Sequence, residues 1–435
     1  MNNLNEFLGG RILDLKTLNP EIVGQLLELG STIVPATFEK QQQLFCSRCL
    51  MRINNNNGSY CRSCLNMGKI NTTDQLLISS TRLNFGFQKR PMTWNGTLTQ
   101  SQQKVSKELI EAFYNQIDHL IWAVTGAGKT EMTFPLLSEI ISSGKRVAFC
   151  SPRVDVCIEL FPRISDAFPK TTIGLFHGKS EQPYMATQIV IATTHQLVRF
   201  EKAFDVLIVD EVDSYPLAGN IMLERAIDKS VKEIGNTYYL SATPPKELLE
   251  KVTAGQLGIS KLYQRFHGHP LPEPKCHLLY KATNFLKINP RVKFTIKKLL
   301  NDNQRFMLFF PNIPQMKDFE KKLQQRFPKL KLISVSSKDP DRLKKVQLFR
   351  KNQVQAILTT TILERGVTFK NVTVIVIDAD SQEFSKTSLI QIAGRAGRAA
   401  DTYDDEVHFY YQNYNIQIKM ACAEIKYLNW CAKNV

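Results

Sequence analysis

The chain has 435 residues, 43% hydrophobic and 22% charged, the proportions of an ordinary globular protein with room for about three modules. Its formal net charge of +16 points toward a polyanionic partner, although solvated basic helix faces account for such a surplus equally well. No apolar run approaches the about 18–20 residues of a membrane span, and MNNLNEFLGG lacks the basic-then-apolar pattern of a secretion signal, so the expected location is the cytoplasm.

Residues 1–95 read as a small N-terminal module. Cys46-x2-Cys49 and Cys61-x2-Cys64 enclose eleven residues that include NNNNGSY. Two such turns present four thiolates to one tetrahedral centre, which suits a closed, structural Zn²⁺ site; a redox role explains one CxxC but not two. Cys150, Cys157, Cys276, Cys422 and Cys431 are scattered and read as small buried apolar residues. Arg48, Arg52 and Arg62 lie among Phe45, Tyr60, Phe85, Phe87 and Trp94. That mixture either tracks a single nucleic-acid strand by stacking and phosphate contact or packs a minimal core around the metal.

Beyond about residue 95, short β-branched runs alternate with helical patterns: HLIWAVTG, KRVAFCSPR, QIVIATTHQ, FDVLIVDEVD and NTYYLSATP. The rhythm predicts an α/β fold, a parallel sheet covered on both faces with ligands at the carboxyl ends of its strands. This first lobe spans 96–266. HGHPLPEPK (267–275) reads as a linker, and a second alternating block occupies 276–435 without a phosphate loop of its own. Residues 281–351 hold 19 Lys/Arg against 5 Asp/Glu.

Four motifs carry chemistry. In WAVTGAGKT, Gly126 and Gly128 let the backbone N–H groups of Thr125, Gly126, Ala127 and Gly128 curl around phosphate oxygens, Lys129 reaches the β- and γ-phosphates, and the Thr130 hydroxyl binds Mg²⁺. Ala123 stands where the general pattern has glycine. DEVD ends the strand FDVLIVD, with Asp210 as metal partner and Glu211 as general base on the attacking water. Ser241-Ala242-Thr243 follows the next strand. In QIAGRAGR, Arg395 and Arg398 at i and i+3 share one helix face and suit the spread charge of a phosphoryl-transfer transition state.

In this order the motifs resemble superfamily 2 helicases over residues about 95–415, implying two RecA-like lobes and ATP with Mg²⁺ as cofactors. The resemblance adds Gln102 as an adenine-contacting glutamine, Gln391 as a catalytic neighbour of the γ-phosphate, and Ser241–Thr243 as the motif linking hydrolysis to the nucleic-acid path. It assigns Arg153, Thr193, Thr194 and Thr360 to the nucleic-acid backbone, and TTTILERGVTF (359–369) to coupling of the lobes. With a four-cysteine module directly in front of this core, the chain resembles the late competence protein ComFA family. That resemblance implies a motor stimulated by single-stranded DNA, a ComFC-like partner, and work beside a membrane DNA-uptake channel in transformation. A primosomal replication-restart (PriA-like) helicase is the enzyme alternative, though such proteins usually carry their zinc cysteines inside the second lobe. A zinc-ribbon adaptor that uses ATP only as a clamp is the non-enzymatic one.

Overall fold

Central strands form where β-branched and aromatic residues alternate only with small ones: Val147–Ser151, Ile189–Thr193 and Val372–Val376 are buried at every position, as strands covered on both faces must be. The computed structural model describes residues 4–54, 59–178, 183–279, 288–398 and 405–434. The chain divides into two compact units, one made of 1–122 and 129–261, the other of 123–128 and 262–435. The loop 55–58 of the cysteine module and residues 281–287 of the basic stretch lie outside the described residues.

In the first unit a seven-stranded sheet runs in the spatial order Gly258–Leu262, His119–Ala123, Val231–Ser241, Phe204–Asp210, Val147–Ser151, Ile189–Thr193, Ile173–Phe176. The pairings from His119–Ala123 through to Ile173–Phe176 are all parallel, so the motif-bearing carboxyl ends share one edge of the sheet. The predicted helix EMTFPLLSEIISSGK is two pieces, Lys129–Met132 and Phe134–Ser142. Pro135, in the first turn of the second piece, has no N–H to continue the ladder, and Thr133 turns its hydroxyl back to the Thr130 carbonyl at 2.7 Å. The Ser-Ser-Gly stop ends in Gly144 at φ +66°, a left-handed position that glycine takes readily.

The N-terminal segment belongs to this same unit. It contains a three-stranded antiparallel sheet, Ile12–Asp14, Gln75–Ile78 and Thr32–Pro35, and the hairpin Thr37–Lys40/Gln43–Cys46. Its apolar residues and four buried cysteines form one core with Leu197, Val198, Phe200, Leu223 and Ala226. Arg146, 2% exposed, donates to the Gly9 carbonyl at 2.7 Å and ties the beginning of the described chain to the large sheet.

In the second unit six strands are all parallel, in the order Lys275–Leu278, Val407–Tyr411, Val372–Val376, Arg305–Phe309, Ala356–Thr359, Leu332–Val335. The helices Pro290–Asn301 and Ile313–Arg326 pack apolar residues such as Val292, Ile296, Met316 and Leu323 into its core. The predicted helix through QIAGRAGR stops at Ala393, so Arg395 and Arg398 lie in the turn beyond it rather than on a helix face. Gly394 caps the helix and Gly397, at φ +61°, cannot continue it. The proline-rich segment is pinned rather than loose: Leu271 exchanges two hydrogen bonds with the amide side chain of Asn429, at 2.8 and 2.9 Å. Among the described residues no helix is long and apolar enough to cross a membrane.

Candidate nucleotide, coupling and zinc sites

The buried strand His119–Ala123 delivers the chain into the phosphate loop. Gly126 and Gly128 hold φ of +85° and +77°, values that a side chain would strain, and such alternation turns neighbouring N–H groups toward a common concave side. Lys129 and Thr130 follow at the start of the helix Lys129–Met132, and Thr130 is buried. Within the second unit, Thr125 donates its hydroxyl to Oε1 of Gln391 at 3.2 Å, so these two sequence-predicted residues meet directly. A Cβ on Gly394 would stand 2.7 Å from that of Thr125; only glycine permits this approach. The backbone and donor set fit a triphosphate with its Mg²⁺.

Asp210 is the buried last residue of Phe204–Asp210, and its Oδ1 accepts the Glu211 N–H at 2.8 Å. Glu211 sits at φ +54°, an unfavourable conformation for a non-glycine residue and a place where strain serves a site. Asp213 is the residue that sequence reasoning missed. One of its carboxylate oxygens accepts the Ser241 hydroxyl at 2.6 Å and the other accepts the Thr243 hydroxyl at 2.7 Å. Trp122 donates its indole N–H to the Ala242 carbonyl at 3.2 Å. The three residues of SAT are thereby held from two sides, by the acidic turn and by the strand that leads into the phosphate loop. The final Asp of DEVD was the available signal, since a third acid in the turn has no task in metal or water chemistry.

Gln102 is the third residue of the helix Gln100–Tyr114, and its side chain forms a capping box with Thr99: Oε1 accepts the Thr99 N–H at 2.8 Å. Arg153 precedes the helix Val154–Ala167 and is half-buried. Thr193 and Thr194 are 4% and 0% exposed, so neither residue presents surface to a passing strand, contrary to the sequence expectation. Thr360 follows the strand Ala356–Thr359 and is half-buried.

Both arginines of QIAGRAGR reach the ILERGVT segment of the second unit. Arg395, 4% exposed, donates to the carbonyls of Glu364, at 2.8 Å, and Val367. Arg398 donates to the Thr368 hydroxyl and the Gly394 carbonyl, each at 3.0 Å. The arginine turn and the predicted coupling motif thus form one hydrogen-bonded body.

The four cysteines converge. Their sulfurs all lie within 4.8 Å of one another, with Cys46–Cys64 at 3.9 Å and Cys49–Cys61 at 3.5 Å. A tetrahedron with Zn–S bonds of about 2.3 Å has edges of about 3.8 Å, so the cluster fits the ion. Hydrogen bonds among the thiols, led by those with Cys46, push Cys49 up and Cys61 down, the uneven proton sharing expected of four crowded sulfurs. Arg48, 4% exposed, donates to Cys64 Sγ at 3.1 Å and to the Cys64 and Met67 carbonyls at 2.9 and 3.1 Å. It braces the metal turn and is not available to a strand.

The interleaved aromatics are largely spoken for as well. Phe45 stacks on Phe38 at 5.7 Å, Tyr60 lies under Lys69 at 4.8 Å, and Trp94 meets Phe134 edge-on at 5.4 Å. From the helix Ile221–Ser230, Lys229 donates to the Arg48 carbonyl and Arg225 to that of Leu50. Burial holds the Lys229 ammonium down at about 8.

Comparison with known proteins places the chain in a family. The model of the type III restriction enzyme res subunit matches residues 95–246, and that of the helicase conserved C-terminal domain matches residues 291–400. The chain is 41% identical to competence protein ComFA of Streptococcus pneumoniae, covering 91% of this chain and 93% of the relative. Against competence protein ComFA of Bacillus subtilis the identity is 38%, over 87% and 82%. Among solved structures, the DEAD-box helicase Mss116 bound to ssRNA and UDP-BeF superimposes with a TM-score of 0.61 at 17% identity, covering 76% of this chain and 75% of that one, which shows the shared RecA-like fold. A phosphate loop, an acidic strand end, an arginine turn and a four-cysteine cluster therefore coincide with two relatives that span most of the sequence: the chain belongs to the ComFA family of competence proteins and is an ATP-hydrolysing enzyme of the superfamily 2 helicase type.

Proposed function

We propose that this enzyme is a single-stranded-DNA translocase that helps drive uptake of transforming DNA. It works at the cytoplasmic side of a membrane channel, peripherally bound, together with a ComFC-like partner. The observation that carries the motor reading is the pair of hydrogen bonds that the Ser241 and Thr243 hydroxyls donate to Asp213. It makes the acidic strand end and the SAT turn one rigid piece, so a change at the nucleotide is felt at the coupling motif. Bound ATP and Mg²⁺ supply the phosphoryl bond to be broken and its charge-neutralising cation. Lys129 and the loop Thr125–Gly128 hold the phosphates, with Thr130 and Asp210 on the metal side. Glu211 orients water, Gln391 sits by the γ-phosphate, and Arg395 and Arg398 present the positive charge. Gln102 contacts adenine. Arg153, Thr360 and basic residues of 281–351 grip the strand, and the zinc is structural.

The competence-family relatives favour this reading over a primosomal helicase. The test is ATP-dependent displacement of streptavidin from biotin-ended single strands. Release that requires ATP and is lost in Glu211→Gln supports translocation; ATP turnover without release would reduce the enzyme to a DNA-stimulated ATPase. Backbone-dominated binding also predicts affinity that falls steeply with salt and varies little with sequence.

A further inference from the structure

Past the end of the helix Lys386–Ala393, the carbonyls of the arginine turn have left the helical ladder and need donors from elsewhere. A single side chain outside every motif supplies them. Arg265, 2% exposed, donates from Nη1 to the Gly397 carbonyl at 2.7 Å and from Nη2 to those of Ala396 at 2.8 Å and Gly394 at 3.3 Å. The opposite polarity of the same turn is met by Asp405, whose Oδ2 accepts the Gly397 N–H at 3.0 Å. The turn is thus clamped by a cation on its carbonyls and an anion on its amide.

Three features make this more than a buried arginine finding partners. The Gly394 carbonyl is shared: it accepts from Arg265 and also from Nε of Arg398 at 3.0 Å, so Arg265 is one acceptor atom away from the motif's last arginine. Fit on the other side is equally tight, since a Cβ on Gly126 would stand 3.1 Å from Arg265 Nε. The next residue, Phe266, donates its N–H to the Gly126 carbonyl at 3.1 Å, within the same compact unit. Finally, three carbonyls of one turn suit the rigid planar fork of a guanidinium, whereas the point charge of a lysine serves one or two at a time. Burial lowers the Arg265 guanidinium only to about 10, so it remains charged at neutral pH.

We infer that Arg265 is a positioning residue for ATP hydrolysis: it fixes the Gly394–Gly397 turn so that Arg398 leaves from a set point, and it joins that turn to the phosphate loop at Gly126. The inference rests on the proposed role of Arg398 in the transition state.

The test is a double-mutant cycle in the full-length enzyme, measuring kcat and KM for ATP at saturating single-stranded DNA for Arg265→Gln, Arg398→Ala and the pair, with thermal unfolding of each. Arg265→Gln is expected to lower kcat by at least about tenfold with KM within about twofold, and the pair to be no slower than Arg398→Ala alone. Arg265→Lys, which keeps the charge and loses the fork, is expected to fall between the two and serves as the probe if the Gln variant does not fold. An unchanged kcat in a folded Arg265 variant, or losses that simply multiply in the pair, would overturn the inference. Normal turnover in Arg398→Ala would sink the arginine reading itself, and with it the route from Arg265 through Arg398; a slow Arg398→Ala beside a normal Arg265→Gln would sink the positioning role alone.

Discussion

The two units are built on the same plan and loaded differently. In the first, the proposed catalytic side chains sit at a helix start, Thr130, and at strand ends, Asp210, Glu211 and the Ser241–Thr243 turn locked by Asp213. In the second, the motif arginines are embedded in a mesh of backbone carbonyls that reaches from Glu364 to Gly397. A site for a metal and an attacking water can be written locally, in a strand end and the few residues after it. A site that must supply charge at one stage of a cycle needs its turn held by remote parts of the chain. The difference teaches that substitutions in the first unit should act through the residue replaced, while those in the second should act through the position of a turn.

The comparison is broken most directly at the phosphate loop. Lys129→Ala is expected to cut ATP turnover by on the order of 10²–10³-fold while leaving the protein folded, since it removes charge stabilisation at the phosphates. Retained turnover in a coupled-enzyme assay would mean that the phosphates are held elsewhere.

Loss of the metal probes the first unit's brace. Cys46→Ser should lower zinc content measured by atomic absorption and drop the unfolding midpoint by on the order of 10 °C, because the module shares its core with Leu197, Leu223 and Ala226. A zinc-free variant with an unchanged midpoint would make the module an independent appendage.

Acid should weaken the second unit through a buried histidine. Burial holds His408, on the inner strand Val407–Tyr411, down at about 4, against about 6.5 for an unfolded histidine. The native state therefore binds fewer protons: this contribution is full above about pH 6.5 and is lost as pH falls toward 4, at most about 3 kcal/mol. Thermal unfolding from pH 7.5 to 4.5 should show the loss, and His408→Gln should reduce it; parallel curves would remove His408 as a cause.

The finest probe is Asp213→Asn, which weakens both hydroxyl contacts to SAT. It should lower the ratio of DNA-stimulated to basal hydrolysis by several-fold, on the order of the about 1–3 kcal/mol attached to such buried bonds. A ratio that does not move would deny that this link carries the signal.

Much of this was legible in the sequence, and the exceptions share a cause. The alternating runs give two parallel sheets, and the spacing of Cys46, Cys49, Cys61 and Cys64 gives a converging cluster, because strand period and paired CxxC turns are local properties. What could not be read were partners remote in the chain. Arg265 stands in LYQRFHGHP with nothing to mark it, and its acceptors lie 129 or more positions away. Apolar periodicity carries the predicted helix through QIAGRAGR, whereas the two glycines end it at Ala393. Arg48, grouped by composition with strand-binding basics, is consumed by the metal turn it sits in.

The central claim is that hydrolysis is governed by a single strand of DNA. Its most direct test is steady-state ATP turnover by the purified enzyme at fixed salt, alone and with single-stranded DNA, duplex DNA or RNA. Strong stimulation by single-stranded DNA over both other polymers is the predicted result; turnover that is unchanged by any polymer, or raised equally by RNA, would contradict it.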